Sequence, residues 1–358
     1  MTTRSRRCAQ SDFFTLESLD RTTRGTRYSH ESNKIKKSPD RRCSLVGVSP
    51  VAGAPELESA PSLDLAIRRA KGYVALTKPR IIELLLITTM PTMFVAAKHL
   101  PSFGLIALTL IGGSLAAGGA NAMNMVYDRD IDALMERTKH RPLVTGLISP
   151  RSALVFAIGL EIGAFVELWL TVNLLSAILA VSATAFYVLI YTMWLKRSTT
   201  QNIVIGGAAG AVPVLVGWSS VTGRVGIAPI ILFGIVFFWT PPHFWALAVR
   251  YRDDYRSASV PMLPAVADLS SVVKQIIWYT VVLDLLVISF GFVAPYARIE
   301  KIVYFFIALA LGGAFLWKSL SLRKDASPKN AMSLFTFSIT YLTVLFVAMG
   351  LIAAIQHP

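Results

Sequence analysis

Cysteine is nearly absent from this chain: there are 2, Cys8 and Cys43, both ahead of the first apolar run. They cannot cross-link the body of the protein to itself, and they say little about redox compartment. Charge is also scarce. Only 16% of the 358 residues are charged, and the 21 acids are outnumbered by 35 lysines and arginines. With a mean hydropathy of +0.56, the composition departs from that of a soluble protein toward that of a polytopic membrane protein. No glycine-rich loop follows a strand, which leaves a nucleotide site without support. The net charge of +14 borders hydrophobic spans, which favours anionic lipid heads or an anionic substrate and argues against nucleic acid.

What the chain has in abundance is apolar runs near the 20 residues needed to cross a hydrocarbon core of about 30 Å. Roughly nine are expected, near Ile81–Ala97, Phe103–Val126, Ser152–Val172, Leu174–Leu195, Ile203–Val221, Gly226–Val249, Val272–Val293, Ile302–Trp317 and Met332–Ile355. The third and fourth should form a tight hairpin at Asn173. The fold class is therefore all-α and polytopic.

Between spans, Lys98, Arg224, Arg298 and Lys301 fall on one side, and the many remaining loop cations on the other. Cationic loops near span ends stay cytoplasmic, so the N-terminus is expected inside and the C-terminus outside. Residues 1 to about 65 are rich in Arg, Ser and Thr without an apolar run. They are expected to be a disordered extension or an over-extended start, leaving 66–358 as the membrane domain. A signal peptide does not fit, and Asp12, Glu17 and Asp20 interrupt a transit-peptide pattern.

Ionised side chains inside or beside such spans are costly and usually functional. If the second span continues as a helix, Asn124, Asp128 and Asp132 are spaced i, i+4, i+8, each step turning about 40° beyond a full revolution. Asn121 joins this stripe, whereas Asp130 points to the opposite face. Two carboxylates and an amide suit Mg²⁺, which takes one or two carboxylates plus substrate phosphate oxygens. The alternative is a solvated helix end with Asp128 paired to Arg129 or Arg137. Downstream, Glu136-Arg-Thr-Lys-His-Arg-Pro-Leu143 concentrates cations, by charge alone an ordinary cytoplasmic loop.

In the sixth span, Pro241 and Pro242 are expected to break the helix immediately before His243, where irregular backbone would line a cavity. Helical continuation would bring Arg250 and Asp254 near the face of His243. A lone histidine there is either a packing residue or a ligand. The span exits into Tyr251-Arg252-Asp253-Asp254-Tyr255-Arg256. Two acidic clusters on one face can hold metals that bridge a diphosphate. Gly112-Gly113, Gly118-Gly119 and Gly206-Gly207-Ala-Ala-Gly210 are expected to serve close helix packing. Glu83, Glu161, Glu167 and Asp284 are expected to hydrogen-bond between helices.

The stripe and the second acidic loop together resemble the two Asp-rich motifs of intramembrane UbiA-type prenyltransferases. Three long strings sharpen the resemblance to the bacterial branch that farnesylates protohaem IX: Asp128-Arg-Asp-Ile-Asp-Ala-Leu-Met-Glu-Arg-Thr-Lys-His-Arg-Pro-Leu143, Trp239-Thr-Pro-Pro-His-Phe-Trp-Ala-Leu-Ala248 and Asp254-Tyr-Arg-Ser-Ala-Ser-Val-Pro-Met-Leu-Pro264. The second motif departs from the Asp-x-x-x-Asp of relatives acting on quinone precursors.

The resemblance covers residues 70 to 355 and implies a nine-helix bundle around a central cavity that opens at the cytoplasmic face of the inner membrane. It implies farnesyl diphosphate and haem B as substrates and Mg²⁺ as cofactor, held by Asn124, Asp128 and Asp132 with Asp253 or Asp254. Arg137, Lys139, Arg141, Lys196, Lys78, Arg80 and Arg252 become diphosphate or substrate contacts. Tyr255, with Tyr127 or Tyr251, would shield an allylic cation, and His243 would contact haem. A haem A synthase or terminal-oxidase assembly is the physical partner it suggests. The rival readings are a quinone-precursor prenyltransferase and, less favoured, a secondary transporter, which shares intramembrane acids and broken helices.

Overall fold

A computed structural model of the chain describes residues 62–355. The extension expected over residues 1–65 lies outside the described residues up to residue 61. Its last four positions already belong to a helix, α1 (Ser62–Thr77). The described residues form one unit.

Nine helices among the described residues are long and apolar enough to cross a membrane. They are α2 (Pro79–Ala97), α3 (Phe103–Tyr127), α5 (Pro150–Thr171), α6 (Leu174–Ser198), α7 (Asn202–Thr222), α8 (Ile227–Arg250), α11 (Leu269–Val293), α12 (Arg298–Ser321) and α13 (Pro328–Ala354). Three short helices, α4 (Arg129–Leu134), α9 (Arg252–Ser257) and α10 (Leu263–Val266), lie in the connections at one end. No strand occurs among the described residues.

The helices begin where short polar side chains can cap them. Ser102, Ser149, Asn173, Asp268 and Ser327 each accept a hydrogen bond from a backbone N–H in the first turn of α3, α5, α6, α11 and α13. Pro150 and Pro328 occupy first helical positions, where their missing donor costs nothing. Asn173 also forms the expected hairpin between α5 and α6. Its Oδ1 accepts from Ser176 N at 2.8 Å and its Nδ2 donates to the Ser219 carbonyl at 2.9 Å.

Sequential neighbours pack around a ring that α13 closes against α2, and α2, α7, α8 and α13 also touch across its interior. The largest buried cluster joins α8, α11, α12 and α13 around Trp245, Phe290, Phe315 and Phe346. Large apolar side chains such as Leu170, Phe292, Phe306 and Trp317 face outward, as lipid contact requires.

The break expected at Pro241 and Pro242 does not occur: α8 runs through both prolines to Arg250. Packing against α13 holds the segment, with Trp239 Nε1 donating to the Ser338 carbonyl at 2.8 Å, and the Thr240 hydroxyl bonds back to Val236 O at 2.9 Å. Irregularity instead falls in α6, where residues Phe186–Leu195 form a π-helical stretch. Such segments frequently accompany functional sites.

Candidate active site

A cavity of about 500 Å³ occupies the bundle interior. Its polar end is built on the stripe of α3. Asn121, Asn124, Asp128 and Asp132 are all buried, and Asp130 is exposed, as helical phase requires. The backbone bends at Asp128, which ends α3 and starts α4. Its N–H still bonds to Asn124 O and its carbonyl still accepts from Asp132 N, so the i+4 spacing survives the bend.

The partners of the stripe come from distant segments rather than from Arg129. Lys196 Nζ donates to Asp128 Oδ2 at 2.5 Å, and Arg141 pairs with Asp132 Oδ2 at 2.6 Å. Lys78 Nζ donates to Asn124 Oδ1 at 2.7 Å, and Asn124 Nδ2 donates to Asp128 Oδ2 and to the Thr192 hydroxyl. Asp130 pairs with Arg197 on the outer side, whose hydrogen bonds hold its carboxyl down to about 2.

Lys78 is held under strain. Its φ of 54° lies in the left-handed region, directly before Pro79. Such a conformation costs of order 1–3 kcal/mol for a residue other than glycine. Burial pushes its amine down to about 7, with Arg141 and Lys196 repelling it and Asp128 and Asp132 opposing the fall.

The loop after α4 is pinned by buried Met135, Thr138 and Leu143, and the Thr138 hydroxyl donates to Asp132 O at 3.0 Å. This turns Arg137 and Arg141 into the cavity. Lys139 points outward onto Glu136 at 2.6 Å and does not join them. Lys78, Arg80 and Lys196 also line the cavity, so its mouth carries more cations than carboxylates.

Of the second motif, only Tyr255 faces the cavity. Its phenol is pushed up by burial, with Arg137 opposing. Asp253, 97% exposed and 3.8 Å from Arg256, points away. Asp254 and Arg252 are partly buried but do not line the cavity, and Arg250 faces outward. The reason is geometric. Tyr251 caps α8, α9 starts afresh, and consecutive residues of a helix diverge by about 100°, so Tyr255 and Asp253 oppose each other. Tyr127 is exposed, and Tyr251 lies outside the cavity beneath the Arg137 guanidinium. Tyr187 and Tyr191, stacked 5.3 Å apart on the π-helical stretch, line it instead. Their sequence surroundings are uniformly apolar and gave no signal, nor did those of Thr192.

Deeper in, the cavity is apolar and reaches His243, Trp239, Phe335 and Leu342. The glycines divide. Gly112 and Gly119 abut side chains of α5 and serve packing. A Cβ on Gly113 or Gly210 would meet nothing within 4 Å, so these two leave open space. Of the other acids in or near the spans, Glu161 accepts from Thr184 of α6 at 3.0 Å, an interhelical bond as expected. Glu167 bonds only within its own helix, Asp284 lies against Gly312, and Glu83 is exposed.

A divalent cation fits the stripe. Asp128 Oδ1 is buried without a hydrogen-bond donor, and Arg197 stands 4.0 Å away. Among the described residues no three His, Cys, Asp or Glu side chains cluster. Two carboxylates and an amide suffice only for an ion that completes its shell with phosphate and water oxygens, as Mg²⁺ does.

A ring of apolar helices enclosing a cavity with a cationic, carboxylate-bearing end and an apolar interior is the architecture of an intramembrane protein suited to anionic, lipid-tailed molecules. The chain belongs to the UbiA prenyltransferase family, whose model matches residues 85–354. It is 52% identical over 291 residues to a protohaem IX farnesyltransferase of Streptomyces avermitilis, covering 79% of this chain and 93% of that relative. It is 50% identical over 290 residues to one of Frankia casuarinae, covering 80% and 99%. Among solved structures, a UbiA homologue of Archaeoglobus fulgidus bound to GPP and Mg²⁺ shares the fold with a TM-score of 0.61 at 20% identity, over 79% of this chain and 99% of that one. A digeranylgeranylglyceryl phosphate synthase does so with a TM-score of 0.66 at 17% identity, over 81% and 100%. The chain is a multi-pass membrane prenyltransferase.

Proposed function

We infer that the enzyme transfers the farnesyl group of farnesyl diphosphate to the 2-vinyl group of protohaem IX, with addition of water, giving haem O and diphosphate. The observation that carries this reading is the union, in one cavity, of a cation-rich diphosphate mouth with a deep apolar chamber, in a chain about half identical to enzymes named for that substrate.

Lys78, Arg137, Arg141 and Lys196 bind the diphosphate oxygens. They are already arranged around the stripe, so little reorganisation accompanies the growth of charge on the leaving group. Asn124, Asp128 and Asp132 would hold Mg²⁺, which supplies positive charge to the departing diphosphate. Tyr187, Tyr191 and Tyr255 present ring faces and phenols to the allylic carbon, stabilising its cation. The apolar chamber keeps water from the cation until the vinyl group has attacked. Asp253, Asp254, Arg252 and Lys139 have no part in this scheme, because none lines the cavity or bonds through its side chain to a residue that does, whereas Asp128, set just behind the cavity wall, is bonded to the lining residues Asn124 and Lys196. The excess of Lys and Arg in the loops at that end supports a mouth on the cytoplasmic side of a bacterial inner membrane.

The test is pigment mass. Membranes holding the wild-type protein, given haem B, farnesyl diphosphate and Mg²⁺, should yield haem O, and Asp128→Asn should lower turnover by about 10²–10³-fold, the loss typical of one preorganised electrostatic contact. Failure of the wild type to convert haem B while it consumed 4-hydroxybenzoate would assign it to quinone-precursor prenylation instead.

A further inference from the structure

We propose that His243 binds the iron of the haem substrate through Nε2, as an axial ligand. This rests on the reading that the acceptor is an iron porphyrin.

One hydroxyl orients the ring. Ser338 Oγ donates its only hydrogen to the Phe335 carbonyl, 2.6 Å away on the same helix. His243 Nδ1 lies 2.7 Å from that same Oγ. The shorter contact, to the carbonyl, takes the hydroxyl hydrogen; on that assignment the hydrogen between Nδ1 and Oγ belongs to the imidazole, so Nδ1 donates and Ser338 accepts. Nε2 then carries the lone pair, because no carboxylate contacts the ring to offset the charge of a second proton in this apolar place. A neutral imidazole whose second nitrogen is fixed by a hydrogen bond is the arrangement found at metal-ligating histidines.

The ring is also held in place. It is sandwiched between Trp239, with centroids 4.2 Å apart and planes at 19°, and Phe335, at 4.5 Å and 25°. Trp239 is tied to Ser338 by its own hydrogen bond, so α8 and α13 together clamp the histidine. His243 lines the cavity, and Nε2 makes no hydrogen bond to any described residue. An orienting hydroxyl, two stacking partners and an unclaimed lone pair exceed what a packing histidine requires.

A haem propionate is the other group that could meet His243, and the tautomer disfavours it, since a lone pair repels a carboxylate. Cations suited to propionates stand at the mouth. Along α8, His243 lies seven residues below Arg250, about 10 Å deeper in the bundle. An axial bond there fixes the plane and depth of the porphyrin, and propionate contacts set its rotation about that bond and hence which vinyl meets the prenyl cation.

The experiment titrates purified protein with ferric haem B and records the Soret and visible bands. The wild type should show an imidazole-ligated spectrum, and His243→Gly should lose it and regain it on addition of free imidazole. Ser338→Ala, which keeps the ligand but removes its orienting partner, should weaken haem binding by about 10–100-fold, the usual cost of losing such a partner, and Ser338→Thr should restore it. A His243→Gly protein that binds and farnesylates haem with unchanged bands would overturn the ligation and leave the enzymatic reading standing. A wild type that neither binds nor converts haem would overturn both. If His243→Gly fails to fold, the Ser338 pair still decides: wild-type haem affinity in Ser338→Ala would sink the proposal.

Discussion

Lys78 sits in a backbone conformation that costs energy and in surroundings that strip its proton, yet its amine reaches Asn124 at the polar end of the cavity, where we propose that the diphosphate binds. An amine poised near pH 7 binds an anion well only while protonated. The KM for farnesyl diphosphate should therefore rise as pH increases through about 7, by up to about tenfold per pH unit. Lys78→Arg, permanently charged, should flatten that profile, and a pH-independent KM in the wild type would contradict the assignment. Stability runs the other way. The folded pKa lies below the ordinary 10.5, so between pH 7 and 10.5 the unfolded chain holds the extra proton and the fold gains stability with pH. Asp130 and Asp132 offer a second comparison two residues apart. Asp132 is buried on Arg141 at the mouth, and Asp130 is exposed on Arg197. Exposed pairs contribute about 0–1 kcal/mol. Asp130→Asn should keep kcat/KM within about twofold, whereas Asp132→Asn should lose about 10²-fold or more. Equal losses would mean that helical phase does not sort these acids.

Helical phase also explains what could be read from the chain before its fold was known. The nine spans were legible to within a few residues because a bilayer demands long apolar runs, and the i, i+4, i+8 stripe because 3.6 residues make a turn. What packs against what was not legible, since lipid and protein interior select the same side chains: Trp169 is half exposed and Trp245 fully buried, both in predominantly apolar runs. The pairing of Lys78 and Lys196 with the stripe, across 46 and 68 positions, is tertiary information. The glycines show the same limit, because those that pack and those that leave space look alike in sequence. Gly113 of α3 and Gly210 of α7 face open cavity. Gly210→Leu should therefore fold, fill part of the chamber and shift preference from farnesyl toward geranyl diphosphate, read as the ratio of kcat/KM values. Gly112→Leu, driven into Leu168, should instead reduce the yield of folded protein. A folded Gly210→Leu enzyme with unchanged prenyl preference would remove that face from the prenyl site.

At the scale of the whole molecule the distribution of charge is lopsided. The turns α2/α3, α5/α6, α7/α8 and α11/α12 carry only Lys98, Arg224, Arg298 and Lys301 at or beside them, and the opposite end gathers the remaining loop cations together with the polar end of the cavity. On the proposed reading the cations divide: those lining the cavity bind substrate, and exposed ones in the loops, such as Arg323 and Lys324, favour the cytoplasmic side. This matters for catalysis because a diphosphate carrying several negative charges cannot cross the bilayer and must meet its site from the compartment that contains it. The orientation can be read from single cysteines, since the native pair can be removed as Cys8→Ser and Cys43→Ser. In that background a membrane-impermeant maleimide should label Arg224→Cys, in the turn after α7, in intact cells. Arg323→Cys, in the turn after α12, should react only once the membrane is opened. The reverse pattern would put the mouth outside, separate it from cytoplasmic prenyl diphosphate, and overturn the cytoplasmic assignment while leaving the fold intact.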